Sequence, residues 1–190
     1  MNHRGSWRAI LVAILGLGLI GCGPPWAVLQ QSGPPSALRG APQVTAAVDF
    51  SQLTFGGKTL DMMMAERNPE EQQALNDVFA SMAQAFPAAL AERLNVPVVP
   101  AQGPPMPGEI RCTAVFVEGD LGKYVVMFAR DSWLTTNLVW SVGGQDTDVI
   151  QTRVVVQANI RQPAIIQRMR IATTNTGHLG AEFFRREQAR

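Results

Sequence analysis

Histidine and cysteine are scarce in this chain. Two histidines (His3, His178) and two cysteines (Cys22, Cys112) are spread over 190 residues. Two thiols exclude a disulfide-dense scaffold and a four-cysteine zinc cluster. Charge is also sparse: charged residues make up 16%, against roughly 25% in an ordinary soluble domain. Basic and acidic side chains nearly cancel, for a net charge of +1. That balance lacks the basic stripe that phosphate contacts require, so no nucleic-acid partner is expected. Apolar residues reach 46%, enough for a packed core and too many for a disordered chain. The length suits one domain of ordinary size.

The clearest pattern is at the start. Arg4 and Arg8 precede an apolar run of 12 residues, Ala9 to Ile20. Such a run fits the ~7–15 residues of a secretory h-region and falls short of the ~18–20 that span a bilayer. Gly23-Pro24-Pro25 stops it. It ends in Leu19-Ile20-Gly21-Cys22. This sequence resembles the lipobox of bacterial lipoproteins. The resemblance covers the leader only. It implies a diacylglycerol on the Cys22 thiol through a thioether, and peptidase cleavage between Gly21 and Cys22. A third acyl chain would follow on the freed amine. Two or more chains anchor stably where one holds weakly. Residues 1–21 are then a removed signal, and losing Arg4 and Arg8 takes the formal charge from +1 to −1. Gly23, where an Asp would mark inner-membrane retention in well-studied Gram-negative lineages, favours the outer membrane.

Residues 22–43 are rich in Pro, Gly, Ser and Gln. They read as the lipidated Cys followed by a flexible tether, with an r.m.s. reach of roughly 25 Å. A single domain is expected over 44–190. Val44, Ala46, Val48 and Phe50 alternate as a first strand, and Gly56-Gly57 turns the chain. Asn68-Pro69-Glu70-Glu71 opens a helix predicted over 69–94, with Pro87 set to kink or split it. Residues 95–109, with five prolines, read as an extended loop. Antiparallel strands are expected near 110–118, 123–130, 137–142 and 149–159. A helical wheel favours a helix over 164–188, with Ile165, Ile166, Met169, Ala172, Phe183 and Phe184 on its apolar face. The expected fold is α+β: a two-layer sandwich, a mostly antiparallel sheet with two amphipathic helices on one face.

Catalytic sets are not evident. Ser- and Cys-based sites need a histidine base. His3 leaves with the signal, and His178 sits on the polar side of its helix as a solvated side chain. Cys112 alternates with Ile110, Ala114 and Phe116, which reads as a buried thiol. Gly57-Lys58-Thr59 lacks the upstream glycine of a phosphate loop, since Gln52 stands there, and reads as a turn. Asp146-Thr147-Asp148 is too few oxygens for calcium and reads as a solvated hairpin loop. Met62, Met63 and Met64 cannot converge on one copper ion from regular structure. Glu118 and Asp120 show no acid–base pairing. Neither metal nor cofactor is expected, and the protein is not expected to be an enzyme.

The reading that follows is a lipid-anchored envelope lipoprotein with a non-catalytic binding or assembly domain. Its partners would be the membrane, through covalent lipid, and another envelope protein or a second copy. Trp133 and Trp140 are the candidate partner-binding residues, on an exposed sheet face, because aromatics dominate binding hot spots; the alternative is that both are core, which burial under the helices would show. The alternative is an auxiliary subunit of an envelope transport or secretion complex, with a small-ligand carrier or an enzyme third.

Overall fold

The computed structural model of the chain describes residues 24–125, 128–162 and 164–190. The leader, including the lipobox and Cys22, lies outside the described residues. In chain order the elements are β1 (Trp26–Gln30), β2 (Val44–Asp49), β3 (Thr54–Phe55), β4 (Lys58–Thr59), α1 (Leu60–Ala65) and α2 (Pro69–Arg93). Then come β5 (Val98–Pro100), β6 (Ile110–Asp120), β7 (Lys123–Val125), β8 (Phe128–Arg130), β9 (Ser132–Val142), β10 (Gln145–Val156) and α3 (Ile165–Gln188). The main sheet runs β1-β10-β9-β6-β2-β5 from edge to edge, with β3 and β4 joined beside β6. Both long helices cover one face. The architecture is the expected α+β sandwich on a mostly antiparallel, mixed sheet.

Local chemistry explains α2. The Glu71 amide donates to Asn68 Oδ1 at 2.9 Å, and the Asn68 amide donates to Glu71 Oε2 at 3.3 Å. This reciprocal capping box satisfies two orphan donors, and Pro69 needs no partner at the first turn. Leu75, Val78, Phe79, Met82, Phe86 and Leu90 are buried on the sheet side. Pro87 lies inside a helix that continues through it to Arg93.

The helix read at the tail is present, and its glycines have a packing reason. A Cβ on Gly177 would lie 2.7 Å from Ala89 Cβ and 3.0 Å from the Phe86 carbonyl oxygen. Glycine there lets α3 approach the backbone of α2, which offsets its ~1 kcal/mol propensity cost. Thr173 and Thr176 are buried and donate their hydroxyls to the Met169 and Ala172 carbonyls, so neither hydroxyl is left unpaired. The wheel errs at the first turn. Ile165 and Ile166 are 37% and 39% exposed, whereas Arg168 is fully buried. Arg168 donates to Ser132 Oγ (2.8 Å) and to the carbonyls of Gln162 (3.0 Å) and Leu121 (3.3 Å). Ser132 Oγ itself donates to the Leu121 carbonyl at 2.6 Å. This polar knot ties the start of α3 to the start of β9.

The sheet departs from the sequence reading in four places. Residues 24–43 are not a flexible tether. β1 pairs antiparallel with β10, with Trp26 beside Thr152. Trp26 is buried edge-on against Phe183, and Leu38 is fully buried. Composition registers how a segment is solvated locally; it carries no information about a pairing partner far along the chain. Second, the proline-rich segment supplies β5, which pairs parallel with β2. Pro100 is tolerated because β5 is an edge strand. Third, residues 123–130 hold the separate two-stranded sheet β7–β8 and not a strand of the main sheet. Fourth, β9 begins at Ser132, five residues before the expected 137. The short helix α1, capped by Thr59, was not expected from the sequence at all.

Candidate binding surface

β9 carries both candidate tryptophans. Alternating residues of a strand face opposite ways, and positions 133 and 140 differ by an odd number. Trp140 lies under the helices, fully buried, with its ring centroid 5.0 Å from that of Phe184. Its indole Nε1 has no hydrogen-bond partner among the described residues. It is core, and its expected role on a binding surface is corrected by that burial. Trp133 lies on the other face and is half-buried. The Arg153 guanidinium stands 4.0 Å from its ring centroid.

Among the described residues, no helix lies over that second face of the sheet. At its centre Val139, Val149 and Val115 are half-buried, and Gln151 donates its side-chain amide to Asn137 Oδ1 at 3.0 Å. Towards one end lie Trp133, Arg153 and Val155, the last 55% exposed. At the other end the 101–109 loop covers it. Arg111 donates to the Gly103 carbonyl (3.0 Å) and pairs with Glu109 (2.8 Å), both side chains being about 10% exposed. The arrangement is an aliphatic and aromatic surface with one delocalised cation, the composition of a protein-contact patch.

A second concavity lies between the first half of α2 and the start of α3. It encloses about 420 Å³ between Leu75, Val78, Leu121, Ile165 and Ile166, with Arg67, Glu71 and Asp77 at its rim.

The remaining candidates are dispersed. Cys112 is fully buried, and loss of water pushes its thiol well above the usual range, so it stays protonated. His178 is partly exposed and meets Glu92 of α2 at 2.9 Å. Lys58 is bonded to Glu66 at 2.6 Å, and Thr59 caps α1, so the Gly-Lys-Thr stretch is a turn and helix start. Met63 is buried while Met62 is 52% exposed, so the methionines diverge. Glu118 is exposed, and Asp120 pairs with Arg130 at 3.0 Å. Asp148 corrects its expectation: it is fully buried, and accepts from the Ser32 amide (2.8 Å) and hydroxyl (3.0 Å). Glu187, also buried, accepts from the Gln31 side chain at 2.7 Å. Two buried carboxylates thus fasten the segment that follows β1. Glu187 was not singled out in the sequence, and Asp148 was read there as part of a solvated hairpin loop.

Among the described residues no cluster of three His, Cys, Asp or Glu side chains could hold a metal ion. No described helix is long and apolar enough to cross a membrane. No protein-family model matches the chain, and no curated protein matches it.

Proposed function

We propose that the protein is a lipid-anchored envelope lipoprotein whose domain binds another envelope protein, or a second copy of itself, without catalysing a reaction. The observation that carries this reading is the leader: Arg4 and Arg8, a 12-residue apolar run, then Leu19-Ile20-Gly21-Cys22. The uncovered sheet face around Trp133 and Arg153 supports a binding role, because an aromatic ring stacked by an arginine among half-buried valines is the kind of surface a partner would desolvate. The dispersal of Cys112, His178 and the acidic side chains supports a role without catalysis, since nucleophile, base and orienting group must meet within hydrogen-bond reach. Gly23 favours the outer membrane.

The test is Cys22→Ala. Without the thiol no thioether forms and cleavage after Gly21 should fail. Cells fed a clickable fatty acid should label wild type and leave the variant unlabelled, running as the longer precursor. Unlabelled wild type, or two proteins maturing to one size, would overturn the reading.

A further inference from the structure

The absence of a tether has a geometric consequence at the membrane. This inference rests on the lipid-anchor reading above. Cys22 and Trp26 are four residues apart. Four steps of at most ~3.6 Å span about 14 Å. Trp26 is a fixed point of the fold: it is buried, and it pairs with Thr152. Acyl chains on Cys22 therefore hold the bilayer surface within about 14 Å of the sheet.

β1 runs antiparallel to β10, so the chain enters from the end at which β10 finishes. From Thr152 to Val156, the last residue of β10, is four further residues, again about 14 Å. The anchor's reach thus matches the distance to that end of the domain. Beyond it lie Ile160, 82% exposed, and Ile165 and Ile166 at the start of α3. Arg161, next to Ile160 in the chain, is exposed, and Arg67, Glu71 and Asp77 rim the concavity that Ile165 and Ile166 line. Exposed isoleucines ringed by polar side chains, with arginines among them long enough to reach headgroup phosphates, suit the boundary between acyl chains and headgroups. Ile160 sits in a turn that bonds two of its own backbone amides. The Gln162 amide donates to the Asn159 carbonyl (3.0 Å), and the Arg161 amide to Asn159 Oδ1 (2.9 Å). The nearby β1 edge also exposes Val28 and Leu29. An open strand edge would carry a whole row of unpaired backbone groups into lipid, a larger cost than a turn of this kind.

We propose that the pole bearing Ile160, Ile165 and Ile166 rests on the bilayer that holds the acylated Cys22, so that the domain stands on the membrane instead of hanging from it. The uncovered sheet face then stands upright from the surface, accessible from the side.

The experiment uses the full-length lipidated protein in vesicles of phosphatidylethanolamine and phosphatidylglycerol (7:3) carrying brominated acyl chains. A polarity-sensitive fluorophore is placed on Ile160→Cys, Leu29→Cys or Met106→Cys. Met106 is 67% exposed in the loop at the opposite pole, and the buried Cys112 does not compete for label. Quenching at position 160 should exceed that at 106 at least threefold and exceed that at 29. A ten-residue Gly/Ser insertion after Gly23 should halve it at least. Equal quenching at 160 and 106 in a protein that floats with the vesicles overturns the proposal and leaves the anchor standing. Stronger quenching at 29 overturns it in favour of an edge-on pose. A label at 160 shielded from both bromine and aqueous iodide overturns it in favour of a protein occupant. Intact protein that takes no fatty-acid label overturns the anchor and this pose together.

Discussion

Trp133 and Trp140 share one strand and differ in almost everything else. Trp140 is closed in under α3 by Phe184, with an indole N–H that has no partner among the described residues. Trp133 shares its ring face with the Arg153 guanidinium on a surface that no described helix covers. The covered face is built from Leu134, Leu138, Trp140, Ile150 and Val154, all buried. The uncovered one mixes valine with Thr135, Asn137, Gln151 and Arg153. The same eleven-residue strand therefore serves stability on one side and, in the reading above, recognition on the other. Aromatic character alone does not distinguish a hot spot from a core residue; strand parity does.

The sharpest test of this contrast is truncation on the covered face. Trp140→Ala should cost about 3–5 kcal/mol in urea unfolding. Trp140→Phe should cost far less, because no described hydrogen bond is lost with the indole. If the alanine variant is as stable as wild type, Trp140 is not core and the two faces are not different in kind.

Next comes the helical layer that makes the covered face. Gly177→Val should cost about 1–3 kcal/mol, since the side chain meets Ala89 and the Phe86 carbonyl. A thermal midpoint unchanged by the substitution would mean the helices are not held that close.

A smaller effect should appear where the uncovered face is roofed by the 101–109 loop. Glu109 is held below its ordinary value, first by its hydrogen bond with Arg111 and then by the Met106 amide. A carboxyl depressed on folding adds stability that is complete above its ordinary value of about 4.5 and is lost as pH falls through the lowered one. The stability gap between wild type and Glu109→Gln should be constant from pH 7 to about 5 and close below that. A gap that does not change with pH would show that the carboxylate charge contributes nothing.

The smallest change in stability is expected at the tryptophan on the open side. Trp133→Ala should alter stability by about 1 kcal/mol or less, the scale of an exposed cation–π contact. Crosslinking of the native lipidated protein in intact cells should give less adduct with an envelope protein from this variant than from wild type. A loss as large as that of Trp140→Ala would erase the distinction between the faces.

How much of this was legible in the sequence follows the range of each signal. The helix start at Asn68-Pro69, the Gly56-Gly57 turn and the alternation around Cys112 are complete within a few residues, and each was read correctly. β1 and β5 were not, because what makes them strands lies elsewhere: Ser32 and its acceptor Asp148 are 116 positions apart. The misplacement of Trp140 has the same origin. A strand read as starting at 137 leaves Trp133 outside it, so the parity that separates the two rings could not be applied. Arg168 was hidden because one cation among helical neighbours looks solvated until Leu121, Ser132 and Gln162 converge on it. The leader is a purely linear signal and rests on the sequence alone, since its residues lie outside those the structure describes.

The pairing of β1 with β10 also sets how the domain would bear load. A pull on the chain ahead of Pro24, along the strand and away from Gln30, drags β1 lengthwise past its neighbour. The ladder bonds from Trp26 to Gln30 are then strained together and not one after another. The buried acceptors Asp148 and Glu187 hold the far end at Ser32 and Gln31. Held by the anchor proposed above, the domain would meet such a pull in shear. A pull across the strand would open the same ladder like a zipper, one bond at a time.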